Sequence, residues 1–543
     1  MKNSFQVISN PLTNAWSFLP CILVLILSLF TSSYAQGVEL VQAGSLEGTT
    51  FRGLEVRKLT QNVILKNGNV MLFCDTAYQF VATQNVEAYG HVRVNENGNF
   101  EVTGKKLVFI KATNIATVTG DVVLTTKDGA KLTTNILDYD FKNKVMHYYG
   151  GGEIIDKGST LRSQFGHYDI NAKVMTFKKD VRIKGQDFES ESDTLRYDTQ
   201  SKVAYFLSPT KIKSKDGNLV TERGEYNTAT KKSKFTGRTS ILKDDFSVTA
   251  NQLDYDETSG YGYAVGNVKI ISLKDSIEVI GEEAEYKGRS YLRVNDNAIL
   301  KILVSGDTML IRADTLLSID DSIKKIRILR AYNRTKVLKS DFSAICDSLV
   351  YDRTDSLIYF YRDPVLWSNR SQLSGDSIHV TMRKNKIDKL FMRQNSFIIS
   401  EDSARNLNQV KGRNMVAQFV ESKIQRVDID GNGESIYYAM DKDSIFVGIN
   451  KISCSKMSVR FGDKNQPKTF TFIKKPDAQF IPPHKLEEPD KTLKGFRWRI
   501  GEMPTKSTVY TKLPPPAKSK PRSKREERRE KRKEQKELKK ERK

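Results

Sequence analysis

The stretch "DIDGNGESIYYA", Asp428 to Ala439, holds the residue types that come nearest to a metal site. Asp428, Asp430, Asn432 and Gly433 match the first half of a calcium loop, where alternate oxygens converge on a hard cation and a glycine makes the sharp turn. The twelfth position, which must supply a bidentate Glu, is Ala439, and the flanks read as strands, so the stretch is read as a hairpin turn. The five His are scattered, with none in H-E-x-x-H. Beyond the N-terminal segment, Cys74, Cys346 and Cys454 are far apart and form no C-x-x-C, which indicates neither a zinc site nor a disulfide framework. G-x-S-x-G, P-loop and G-x-G-x-x-G motifs are also missing. No catalytic residue, metal ligand or cofactor is assigned, and the chain is read as a non-enzyme.

A second set of carboxylates recurs at a fixed interval: Asp140, Asp169, Asp198 and Asp256. Repeated acids could serve proton transfer, but Asn227 takes the same place without a charge. Asp and Asn share the ability to accept a hydrogen bond from their own backbone two residues on, so a turn explains the column. Lys144, Lys173, Lys202 and Lys231 follow at a constant offset and read as a solvated edge.

These residues belong to a repeat. Tyr139, Tyr168, Tyr197, Tyr226 and Tyr255 are each 29 residues apart, and Ile154, Ile183, Ile212, Ile241 and Ile270 follow them in register. An apolar or small column runs through Met146, Met175, Ala204, Ser233 and Gly262, and an aromatic one through Tyr148, Phe177, Phe206, Phe235 and Ala264. The column between them, from His147 to Tyr263, is more polar. Alternation of period two in Val, Ile, Thr, Tyr and Phe predicts β-strands with one buried face. A register held without insertion over five units means that pairing and burial are tightly specified.

Looser copies carry the repeat from about Tyr78 to Ile399. The expected organisation is a signal peptide over 1–35, a repeat β domain over 36–400, divisible into two tandem jelly rolls, a smaller β region over 401–509, and a Pro-rich linker with a basic tail over 510–543. The apolar run Cys21 to Phe30 followed by "TSSYAQ" has the form of a secretory signal cut after Ala35. It is shorter than the about 20 residues that span a bilayer. The net charge of +23 is uneven, because Lys518 to Lys543 holds 15 Lys/Arg against 6 Glu. Export and that imbalance argue against a nucleic-acid partner. The tail has one Leu and no apolar stripe, and is read as a charged helix or as disordered.

The signal peptide, the tandem "LxYDxxxxKVxYFxxVxI" units, the inward aliphatic and aromatic columns and the lack of catalytic groups resemble the OstA-like (organic solvent tolerance A) family. That family includes the periplasmic lipopolysaccharide-transport bridge protein and the periplasmic domain of the outer-membrane lipopolysaccharide assembly protein. The resemblance implies an all-β fold: an elongated, tandem-repeat twisted β jelly roll, taco-like, with an open apolar groove for acyl chains. From periodicity alone, a parallel β-solenoid serving as a structural or adhesin-like envelope protein is the alternative. The resemblance also implies a periplasmic location, peripheral to the outer or inner membrane. Lipopolysaccharide or another acylated glycolipid is the implied ligand. The implied protein partners are an outer-membrane assembly barrel, an inner-membrane transport complex, and further copies joined head to tail. Met146, Tyr148, Met175, Phe177, Phe206 and Phe235 are the expected groove wall, and the Tyr and Ile columns the structural positions. The long chain, the lack of barrel-forming strands and the basic tail depart from the family pattern.

Overall fold

In the computed structural model the described residues are 37–514, less 216, 245, 273, 275, 289, 305, 322, 324, 325, 369, 384, 385, 422, 442–444 and 463–466. The expected signal peptide and the basic tail beyond Pro514 lie outside them. The chain forms two compact units, Met1–Tyr148 and Tyr149–Lys543.

The β reading is what the structure shows: strands fill the described residues apart from turns, three short 3-10 turns and one helix, Lys506–Tyr510. The registered pairings are all antiparallel, which excludes the parallel solenoid. Each 29-residue unit is a pair of strands. Val174–Lys184 and Phe188–Asp198 make one such unit, and each strand pairs with the one before it and the one after. Passage across residue 400 does not interrupt the sheet, since Lys386–Glu401 pairs with Leu407–Val420.

The Tyr-Asp corner is a turn held by the acid itself. Asp198 Oδ1 accepts from the backbone N–H of Gln200 at 2.8 Å and of Ser201 at 2.9 Å. Asn227 Oδ1 does the same with Ala229 and Thr230, which explains why the charge is dispensable. The Lys column has a backbone reason: Lys144, Lys173, Lys202 and Lys231 have φ of 56°, 58°, 62° and 60°, the left-handed residue that ends the turn. Gly260, with φ 68°, takes that place in the fifth unit.

A second recurrent feature divides each strand into two arms. Two consecutive residues adopt left-handed φ in mid-strand, as at Lys179–Asp180 (63° and 53°), Gly266–Asn267 (79° and 48°) and Asp296–Asn297 (58° and 57°). The ladder slips at the same places, between Lys178 and Val181 and between Val265 and Val268. These are β-bulges, which bend a strand and re-aim its side chains. The calcium-like stretch is one of them: Gly431 and Asn432, at φ 84° and 52°, bend the single strand Lys423–Met440. The expected hairpin turn is therefore a bulge, because the strand continues on both sides and its register merely shifts by a bulge residue.

Candidate functional site

In the second unit the inward side chains form rows that cross the sheet from strand to strand. The aromatic row runs Phe177, Leu195, Phe206, Gly224, Phe235, Leu253, Ala264, through direct cross-strand partners. Phe177, Phe206 and Phe235 are thus brought together on one face, with the rings of Phe206 and Phe235 stacked at 6.4 Å. All three are only 3–5% exposed. Met175 lies one step along the same face, facing Tyr168 and Tyr197, and is half-buried. Met146 and Tyr148 belong to the first unit, where both are buried. Also there, Lys144 Nζ bonds Glu96 at 2.9 Å and the Tyr139 hydroxyl at 3.1 Å, an anchoring contact and no solvated edge.

The row on the other arm behaves differently. It runs Leu161, Ile183, Ser190, Ile212, Leu219, Ile241, Val248, Ile270, Val279. From Val248 onward it is buried, with Ile270 2% exposed. Leu161, Ile183, Ile212, Leu219 and Ile241 are only half-buried, as is Ile154. In the first unit the corresponding row, Leu65, Leu72, Val94, Val102, Leu124 and Leu132, is buried throughout. Within the second unit, water therefore reaches inward aliphatic side chains from Leu161 to Ile241 and not from Val248 onward. Sequence reasoning gave these isoleucines a structural part, because column identity records spacing and says nothing of cover.

Small polar side chains line the inner corner between the arms. Ser163, Ser192 and Thr221 donate to the carbonyl two residues on, and Ser192 and Thr210 share a hydrogen bond at 2.9 Å. The cysteines take the same place. Cys346 Sγ donates to Ser348 O at 3.3 Å and Cys454 Sγ to Lys456 O at 3.1 Å, while Cys74 sits in the equivalent bulge. Burial pushes the Cys74 and Cys346 thiols up to about 12, so they stay neutral and inert. A cavity of about 270 Å³ opens at this corner, lined by Asp180, Val181, Arg182, Ser192, Pro209 and Thr210 among others. Further along, the interior by Ile398, Val410 and Tyr437 leaves only about 30 Å³.

Among the described residues no group of three or more His, Cys, Asp or Glu is placed to hold a metal ion. No described helix is long and apolar enough to cross a membrane.

Residues 35–193 and 190–251 match the family model of the OstA-like proteins. The match lies in the N-terminal part of the chain. The match contains the whole half-buried row from Ile154 to Ile241. No curated protein matches the chain. Among solved structures, the crystal structure of LptH, described as the LptA homologous periplasmic component of the conserved lipopolysaccharide transport device from Pseudomonas aeruginosa, is similar at 17% identity and a TM-score of 0.18. The likeness covers 20% of this chain and 81% of that one. The antiparallel architecture described above rests on the strand pairings themselves.

Proposed function

We propose that this OstA-like chain is a non-enzymatic carrier of an acylated glycolipid, lipopolysaccharide above all, acting in the periplasm in outer-membrane assembly. The observation that carries the reading is the half-buried aliphatic row Leu161, Ile183, Ile212, Leu219 and Ile241, inward-facing and open to water, while the same row from Val248 onward is buried. Exposed inward aliphatics are unfavourable unless covered. Each methylene moved from water to such a surface gains about 0.8 kcal/mol, so an acyl chain of roughly twelve carbons gains about 10 kcal/mol. In this reading the aliphatic row contacts the ligand, while Phe177, Phe206 and Phe235 with Met175 form the packed wall behind it. Met146 and Tyr148 serve the same part in the interior of the first unit, taken by itself.

The edge strands suit docking. Leu40, Val41 and Leu46 on the first strands are 43%, 52% and 56% exposed, and Phe480 on the last is 52% exposed. Unpaired edges with apolar side chains favour strand addition, either by a further copy head to tail or by a membrane-bound assembly partner.

The test is photo-crosslinking in the full exported chain, with a photoreactive residue in place of Ile212 or, as control, Ile270. Lipid A or an acyl probe captured at 212 and not at 270 is expected. Equal capture at both, or none at either from a folded protein, would sink the proposal.

A further inference from the structure

After the last strand, Asp477–Ile481, the chain does not leave the sheet but returns across its other face, over strands laid down far earlier in the sequence. Three side-chain amides clamp its backbone. Gln409 donates to Lys491 O and accepts from Leu493 N–H, both at 2.8 Å. Gln372 donates to Arg497 O at 2.6 Å and accepts from Arg499 N–H at 2.7 Å. Asn297 donates to Leu513 O at 3.2 Å and accepts from Leu513 N–H at 2.8 Å.

The two halves of this strap are held unequally. The first seats Leu493, Phe496 and Trp498 on Phe397, Ile399, Ile436 and Ile449. Gln372 and Gln409 beneath it are each 1% exposed and bonded through both the amide nitrogen and the amide oxygen. The second half is the turn around the short helix Lys506–Tyr510, with Val509 on Ile299 and Leu310 as its apolar anchor.

Beneath this second half the charges do not balance. Arg312 is 2% exposed; Nη2 bonds Asn297 Oδ1 at 2.6 Å, but Nε and Nη1 have no partner among the described residues. Arg334 pairs with Asp314 at 2.7 Å and donates to Pro514 O at 3.1 Å. Among the described residues Lys336 reaches the carbonyl of Thr508, at 3.5 Å, and burial together with Arg312 holds its pKa below the usual lysine range. Among the described residues three cations thus share one carboxylate, Asp314. A buried guanidinium with two unpartnered nitrogens, carrying three N–H donors between them, is costly to leave without a counter-charge.

We propose that Arg312, with Arg334 and Lys336, forms an anion site for a phosphate-type group, and that residues 503–514 are a latch over it which lifts when the site is filled. The first half of the strap stays docked and acts as the hinge. The site lies on the strap-covered face, and its success or failure is separate from that of the acyl row.

Hydrogen exchange read by mass spectrometry on the full chain tests this. Amides of 503–514 are expected to exchange faster than those of 489–502. Inorganic phosphate, against chloride at equal ionic strength, should speed the former by about tenfold or more and leave the latter alone. Arg312→Met should abolish the phosphate response and slow exchange at 503–514, because the unpaired guanidinium is gone. Gln409→Ala should speed exchange at 489–502 without phosphate. Protection in Lys386–Glu401 reports that each variant is folded. If Arg312→Met unfolds, Lys336→Gln should still weaken the phosphate response severalfold. No phosphate response in the wild-type chain, or a response undiminished in the folded variants, overturns the proposal.

Discussion

Phe235 packs directly against the backbone of Gly224 in the paired strand: a Cβ added to Gly224 would stand 2.4 Å from Phe235 Cδ1 and 2.9 Å from Lys234 O. Gly262 meets the ring of Tyr286 in the same way, at 2.0 Å. Large side chains therefore fill the space that a small cross-strand partner leaves, and the drift between repeat units is paired: where one strand gives up a side chain, its neighbour supplies a ring.

Gly224→Ala is accordingly expected to destabilise the chain by about 1–3 kcal/mol, the range for overpacking a filled site. A denaturant midpoint lowered with an unchanged slope would register it. Phe235→Leu should relieve part of that cost in the double variant, whereas additive effects would show that the two residues do not share the space.

Phe206 and Ile212 should separate stability from binding. Phe206 is 5% exposed, and Phe206→Ala should cost about 3–5 kcal/mol. Ile212 is half-buried, so Ile212→Ala should cost less, about 1–2 kcal/mol. Acyl-probe affinity should fall more for Ile212→Asp than for Phe206→Leu; the reverse order would move the contact surface back to the aromatic row.

The thiols should be silent. With burial holding Cys74 and Cys346 at about 12, the thiolate is scarce at neutral pH and alkylation of native protein should wait on unfolding. Cys346→Ser keeps a donor for Ser348 O and should be tolerated, while Cys346→Val removes the donor and should cost about 1–3 kcal/mol. Rapid labelling of the folded chain would contradict the corner placement.

How much of this was legible depended on whether a structural need fixes a side chain or only a backbone angle. The Tyr-Asp turn fixes a side chain, since Asp and Asn accept best from the following amides, and so the 29-residue period stood out. The mid-strand bulge fixes an angle that Lys179–Asp180, Gly266–Asn267 and Asp296–Asn297 all supply, so no column marked it. The cysteines looked unrelated because their equivalents at the corner are Ser163, Ser192 and Thr221. Antiparallel pairing was undecidable from period alone, for a two-strand unit and a solenoid coil both repeat. The strap was invisible because Gln372 and Gln409 read as surface residues until the chain from Lys491 to Arg499 is seen lying on them.

Acid stability should trace back to the turns. The backbone N–H of Asn143 holds the Asp140 carboxyl below its ordinary range, as Ser201 does for Asp198 and Ser259 for Asp256. These groups bind protons more weakly folded than unfolded, so their contribution is complete above the unfolded value of about 3.9 and is lost as pH falls through the folded one. The triple variant Asp140→Asn, Asp198→Asn, Asp256→Asn keeps the turn acceptor, as Asn227 already does, and removes the titration. Its melting temperature should stay near wild type at neutral pH and decline less between pH 4 and 2, a range set by the ordinary carboxylate value of about 3.9. A parallel decline in both proteins would assign the acid limb to other carboxylates, such as Asp307, held near about 2 by the Ser340 hydroxyl.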